Sequence, residues 1–165
     1  MIQKKVCILG AAGVGKTSLT AQFVYSKFSE KYLSTMGVKI DRKTVDIEGT
    51  QVNLMLWDIH GEEKHKKVTT SYIRGASGMI TVIDGTRPDT VDSACEILQR
   101  VDEALGKIPN IFLINKSDLQ DEWAITEDTL KTLSTLGSPV YLTSAKTGDN
   151  VESSFLTLAK ILITP

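Results

Sequence analysis

The chain has almost no charge imbalance, few cysteines and no long apolar run. Its 19 Lys and Arg against 20 Asp and Glu leave a formal net charge of −1. Non-specific nucleic-acid binding needs a basic footprint, which this balance does not supply. Two cysteines, Cys7 and Cys95, are too few for a disulfide framework in 165 residues. Both fall in apolar or helical patterns and read as small core groups in a reducing compartment. No stretch reaches the roughly 20 apolar residues that span a bilayer. The opening Met1-Ile2-Gln3-Lys4-Lys5 does not resemble a signal peptide, and Ile161 to Pro165 offers no cysteine for prenylation. The expectation is a cytoplasmic monomer, peripheral to membranes only if a tail absent from this chain is lipidated. Repeats, linkers and low-complexity segments are missing too, so residues 1–165 are expected to form one domain.

What is present is an alternation of buried strands and amphipathic helices. Residues 6–9, 79–83 and 111–114 are short continuous apolar runs, each read as a strand covered on both faces. Residues 17–28 show helical spacing, with Leu19, Phe23 and Val24 on one side. Val91, Cys95, Leu98, Val101 and Leu105 recur at steps of three and four. A further helix is expected over 130–136, ended by Gly137, then a strand over 140–142 and a last helix carrying Val151, Phe155, Leu158 and Leu162. Residues 38–47 and 51–57 are β-like and joined at Glu48-Gly49-Thr50, a hairpin signal. The strand from Val38 is therefore the one antiparallel member of a mostly parallel α/β sheet with helices on both faces. Residues 58–67 are polar and hold both histidines; the run Lys64-His65-Lys66-Lys67 reads as a solvated helix face.

Gly10-Ala11-Ala12-Gly13-Val14-Gly15-Lys16-Thr17 matches G-x-x-x-x-G-K-[ST] in full. Glycines let the backbone turn so that successive N–H groups face phosphate oxygens, and the helix start adds its positive end. Lys16 brings an ammonium to the terminal phosphates. Thr17 offers a hydroxyl to Mg²⁺. The motif follows a strand and opens a helix, as a phosphate loop must; the competing reading is an accidental glycine-rich turn. It implies a nucleoside triphosphate without saying which.

Asn115-Lys116-Ser117-Asp118 supplies that choice. It ends the strand over 111–114, where open α/β sheets bind ligands. A carboxylate only accepts hydrogen bonds, and guanine presents two adjacent donors, N1–H and the exocyclic amine. Adenine has no such pair, so Asp118 selects against it. Alone, the tetrad reads equally as a polar strand-to-helix loop. Ser144-Ala145-Lys146, which by itself is a plain loop, reads beside the tetrad as presenting a backbone N–H to the guanine oxygen.

These motifs, with Thr35-Met36-Gly37-Val38, Leu56-Trp57-Asp58, the run from Tyr72 through Ile73-Arg74-Gly75-Ala76-Ser77 to Gly78, and Asn150-Val151-Glu152, resemble the Ras superfamily of small GTPases, most of all its Rab group. The resemblance covers essentially the whole chain. It implies the P-loop NTPase fold of that family, with a six-stranded sheet, and a switch cycling between GTP and GDP with Mg²⁺. By it, Gly13, Val14, Gly15, Lys16, Thr17 and Ser18 surround the phosphates. Phe28 packs on the guanine, Thr35 ligates Mg²⁺ and covers the γ-phosphate, Asp58 holds Mg²⁺ through water, and the Gly61 N–H senses the γ-phosphate. Effector, exchange-factor and activating proteins read the ordered loops at 29–37 and 59–74, with Trp57 and nearby apolar groups as candidate contacts. Without the resemblance, Phe28 reads as helix-end core, Thr35 as one polar loop residue among several and Trp57 as partly buried core.

The second switch departs from the family. The family pattern is Asp-x-Ala-Gly-Gln; here it is Asp58-Ile59-His60-Gly61-Glu62. Glu62 stands where the water-orienting glutamine is expected. An ionised carboxylate accepts but cannot donate. Two like charges about 5 Å apart repel by about 3 kcal/mol at an effective dielectric of 20. Glu62 is therefore a doubtful catalytic group beside Lys16 and Thr35, and slow intrinsic hydrolysis is the expectation. Ala12 crowds the approach of a partner arginine, and His60 reads as a surface side chain. Two other readings stay open: a guanine-nucleotide module that hardly hydrolyses, and an ATPase or kinase that leaves Asp118 unexplained.

Overall fold

The computed structural model describes residues 1–29, 37–59 and 70–165. Thr35, His60, Gly61 and Glu62, together with the Lys64–Lys67 run, lie outside the described residues. The six strands are β1 (Ile2–Leu9), β2 (Val38–Ile47), β3 (Thr50–Ile59), β4 (Gly78–Asp84), β5 (Asn110–Asn115) and β6 (Val140–Leu142). They form one sheet in the order β2-β3-β1-β4-β5-β6. Only β2 runs antiparallel, paired with β3 from Val38 opposite Ile59 to Ile47 opposite Thr50. That is the mostly parallel sheet expected from the strand and hairpin pattern, and the P-loop arrangement that the resemblance implies.

Alternation along each parallel strand sorts its side chains between two cores. Val6, Ile8, Ile80, Val82, Ile111 and Leu113 face one way, into a cluster with Leu19, Phe23, Phe155 and Leu158. These last four come from α1 (Lys16–Tyr25) and α5 (Val151–Ile163). Rings of Phe23 and Phe155 stack with centroids 4.3 Å apart. On the opposite face Cys7, Leu9 and Met79 meet Ile73, Ile97 and Val101. Ile83, Phe112 and Ile114 meet Ala94, Ile125 and Leu133. The helices there are α2 (Thr70–Ile73), α3 (Asp89–Leu105) and α4 (Glu127–Ser134). Both cysteines are free, Cys7 buried and Cys95 half-buried on α3.

Two helices, α1 and α4, have boundaries that differ from the periodic reading. α1 stops at Tyr25 because Ser26 turns left-handed, φ 54°, and its N–H caps the Gln22 carbonyl. Phe28 therefore lies beyond the helix, 39% exposed, and is not helix-end core. α4 starts three residues earlier than its apolar pattern because the Thr126 hydroxyl accepts from the Thr129 N–H and caps it. It also ends before Leu136, which is exposed. Among the described residues, no helix is long and apolar enough to cross a membrane.

Candidate functional site

The C-terminal ends of five neighbouring strands gather at one rim of the sheet. Ile8 pairs with Asp58, Leu9 with Thr81, and Asp84 with Asn115. The phosphate-loop motif leaves β1 there, Asp58 stands near the end of β3, the guanine tetrad leaves β5, and Ser144 follows β6.

The loop glycines are required by conformation and by space. Gly10, Gly13 and Gly15 have φ of 154°, 77° and 106°. A Cβ on Gly10 would sit 2.5 Å from the Val82 carbonyl oxygen, and one on Gly15 2.2 Å from Asn115 Nδ2. The backbone thus lies directly on β4 and on the tetrad. Lys16 is buried, its ammonium donating to the Gly10 carbonyl at 3.1 Å and the Ala11 carbonyl at 2.9 Å. Burial pushes its pKa down to about 8, against Asp58, which raises it, and with Arg87, which lowers it further. An ammonium held this far from water favours an anionic ligand.

Thr17 Oγ1 donates to Asp58 Oδ2 at 2.5 Å, and Asp58 is fully buried. This hydroxyl and carboxylate are hard oxygen donors at the start of α1, a set that fits Mg²⁺ with phosphate and water completing its shell. Ser18, the next residue on α1, is half-buried.

In the tetrad, Asn115 is the junction of three segments. Its Nδ2 donates to the Val14 carbonyl at 3.0 Å, and its Oδ1 accepts from the Ala145 N–H at 3.2 Å and the Thr143 hydroxyl at 3.4 Å. Lys116, at φ 70°, donates to the Gly13 carbonyl at 3.1 Å and pairs with Asp84 at 2.8 Å. Asp118 is half-buried and accepts from the Ser144 hydroxyl at 2.7 Å. That bond orients a carboxylate suited to two adjacent donors. The Ala145 carbonyl accepts from Gln22 of α1 at 2.8 Å, while Lys146 is exposed. Phe28 lies exposed on the segment after α1.

Four residues of this rim, Gln22, Asp84, Arg87 and Trp123, carried no motif signal. Asp84 is fully buried at the end of β4 and accepts from the Thr86 N–H, the Thr86 hydroxyl and Arg87 Nε. Burial would raise its carboxyl, but Lys116, Thr86 and Arg87 together outweigh that and hold it below the ordinary value. Arg87 also donates from its terminal nitrogen to the Ala12 carbonyl at 2.8 Å. Trp123 packs directly against Gly85, where a Cβ would collide with the indole. A carboxylate closing an apolar strand at the binding rim was the available signal for Asp84; Arg87 and Gln22 had none.

On the β1–β3 side, Lys5 sits 3.6 Å above the Trp57 ring and donates to the Arg74 carbonyl. Trp57 is half-buried and opposite Ile40 on β2, which is 45% exposed.

The Ras family model matches residues 5–164. The Ras-related protein SEC4 of Saccharomyces cerevisiae is 39% identical over 160 residues, covering 96% of this chain and 74% of that protein. Ras and Rab proteins bind GTP and GDP with Mg²⁺, and the loop, the Thr17–Asp58 pair and the tetrad supply donors of the right kind for both. A family model that matches nearly the whole chain and a Rab-type relative 39% identical over 96% of it place the chain in the Ras family, as a Rab-like small GTP-binding protein.

Proposed function

We propose that this chain is a guanine-nucleotide switch whose own hydrolysis of GTP is slow. The observation that carries the reading is Glu62, in Asp58-Ile59-His60-Gly61-Glu62, at the position of the family's glutamine. Lys16 and the N–H groups of Gly13, Val14 and Gly15 bind and orient the phosphates, with Ser18 following at the helix start. Thr17 would hold Mg²⁺ directly and Asp58 through water, joined by Thr35 in the triphosphate state. Mg²⁺ bound there neutralises charge on the phosphate oxygens. Gly61 detects the γ-phosphate through its N–H. Glu62 accepts a hydrogen bond from water but donates none, and its charge opposes the anionic γ-phosphate. Asn115, Lys116, Asp118, Ser144, Ala145 and Lys146 hold the base, and Phe28 covers it.

Effectors, exchange factors and activating proteins bind the two switch loops and the apolar edge formed by exposed Ile40 and half-buried Trp57. The protein acts as a monomer in the cytoplasm. A lipidated tail outside this chain is what would bring it to a membrane.

Single-turnover hydrolysis of GTP tests the reading. Glu62→Gln is expected to release phosphate faster than wild type. Equal rates overturn the slow-hydrolysis assignment. A Glu62→Gln slower than wild type, with a rate that depends on pH near neutrality, makes Glu62 a general base instead. The departures at Ile59, His60 and Glu62 favour one second reading, an exchange-driven switch or scaffold. Phosphate release absent over hours, with and without cell extract, selects it. Stabilisation against heat by GDP and not by ADP separates both from an adenine-nucleotide enzyme.

A further inference from the structure

Three consecutive carbonyls of the phosphate loop are each held by a side-chain donor from outside the loop. Ala12 is held by Arg87 at 2.8 Å, Gly13 by Lys116 at 3.1 Å, and Val14 by Asn115 at 3.0 Å. A trans peptide unit is planar, and its C=O and N–H point in opposite directions. Fixing the carbonyl of Ala12 outward therefore turns the N–H of Gly13 the other way. The same holds for the N–H of Val14 and the N–H of Gly15. The three N–H groups that must meet phosphate are aimed by three bonds on the far side of the backbone.

Two of those donors belong to the guanine tetrad. The third does not. Arg87 sits between β4 and α3, with its Nε on Asp84 at 3.0 Å while its terminal nitrogen reaches Ala12. Asp84 also holds Lys116 at 2.8 Å, so one buried carboxylate orders both cations. The planar guanidinium fork allows both bonds at once; an ammonium on a flexible stem makes only a point contact.

We propose that Arg87, oriented by Asp84, is a positioning residue for nucleotide binding: by holding the Ala12 carbonyl outward it presents the Gly13 N–H to the phosphates. Its effect passes through the Ala12–Gly13 peptide and not through direct contact with nucleotide. The inference rests on the phosphate-loop assignment and is independent of the hydrolysis rate.

The test is dissociation of a fluorescent GDP from the Mg²⁺-loaded protein, for wild type, Arg87→Ala and Arg87→Lys. A hydrogen bond involving a charged group is worth about tenfold or more in an equilibrium constant. Arg87→Ala is expected to release GDP about tenfold faster by that measure, and Arg87→Lys to fall between the two. The amide resonance of Gly13 in the ¹⁵N-labelled GDP complex should move in Arg87→Ala, with that of Gly15 nearly unchanged. Arg87 is 41% exposed, so its loss leaves the core intact. Release within twofold of wild type, an unmoved Gly13 amide, or full restoration by Arg87→Lys each overturns the proposal. Wild type that fails to retain GDP at all would instead refute the phosphate-loop assignment itself.

Discussion

Gly15 and Asn115 touch so closely that a methyl group on the glycine would lie 2.2 Å from the Asn115 amide nitrogen. They stand a hundred residues apart in sequence, and their contact is where the phosphate loop meets the base-reading strand. Gly15 also caps the start of α1 at φ 106°, a conformation L side chains rarely adopt. Gly15→Ala is expected to push Asn115 off the Val14 carbonyl and to abolish GDP-dependent thermal stabilisation. A melt with and without GDP and Mg²⁺ checks this; a full GDP shift in the variant would refute it.

Base selection should depend on a hydroxyl outside the tetrad. Ser144 donates to Asp118 at 2.7 Å and so fixes the direction in which the carboxylate faces. Ser144→Ala removes a hydrogen bond to a charged acceptor, which lowers affinity by about tenfold. Isothermal titration should show that loss for GDP, while the already weak binding of ADP is unchanged. Asp118→Ala should lose more than Ser144→Ala, because the acceptor itself disappears.

The stacked pair Phe23 and Phe155 joins α1 to α5 beneath the sheet. Phe155 is 1% exposed. Truncating a buried aromatic to alanine costs about 3–5 kcal/mol. Phe155→Ala should lower the unfolding free energy of the GDP complex by that order in a urea titration. A change under about 0.5 kcal/mol, the size of a surface substitution, would mean the stack contributes little.

Cys7 gives a pH dependence with a defined sign. Burial, only partly opposed by the Lys5 charge, raises its thiol from 9.0 to about 11. Between those values the unfolded chain gives up a proton that the folded chain keeps. This thiol's contribution to stability is therefore complete below 9.0 and is lost as pH rises toward about 11. Cys7→Ser or Cys7→Ala should flatten that part of the stability curve. At neutral pH a thiol reagent should label Cys7 only when the chain unfolds.

The strands and the two nucleotide motifs were legible in the sequence for a shared reason. Buried parallel strands must be continuous apolar runs, and phosphate and guanine each demand particular donors at fixed spacing. What was not legible arises from contacts between segments. α1 ends at Ser26, with no Gly or Pro to mark it, and leaves Phe28 exposed. Leu136 keeps helical spacing with Leu133 but sits past the end of α4. Arg87 and Gln22 meet the phosphate loop and the Ala145 carbonyl only because the fold brings their separate segments together. No local pattern encodes such a meeting.

Lys5 above Trp57 and Gly85 beneath Trp123 have an optical consequence. The chain holds two tryptophans. One lies against an ammonium between β1 and β3, and the other against backbone just past the end of β4. Under the proposed function, Trp57→Phe is expected to leave a fluorophore that responds to added GDP, and Trp123→Phe one that responds to a partner docking beside Ile40. The two native indoles would then report loading and docking separately, with no label attached.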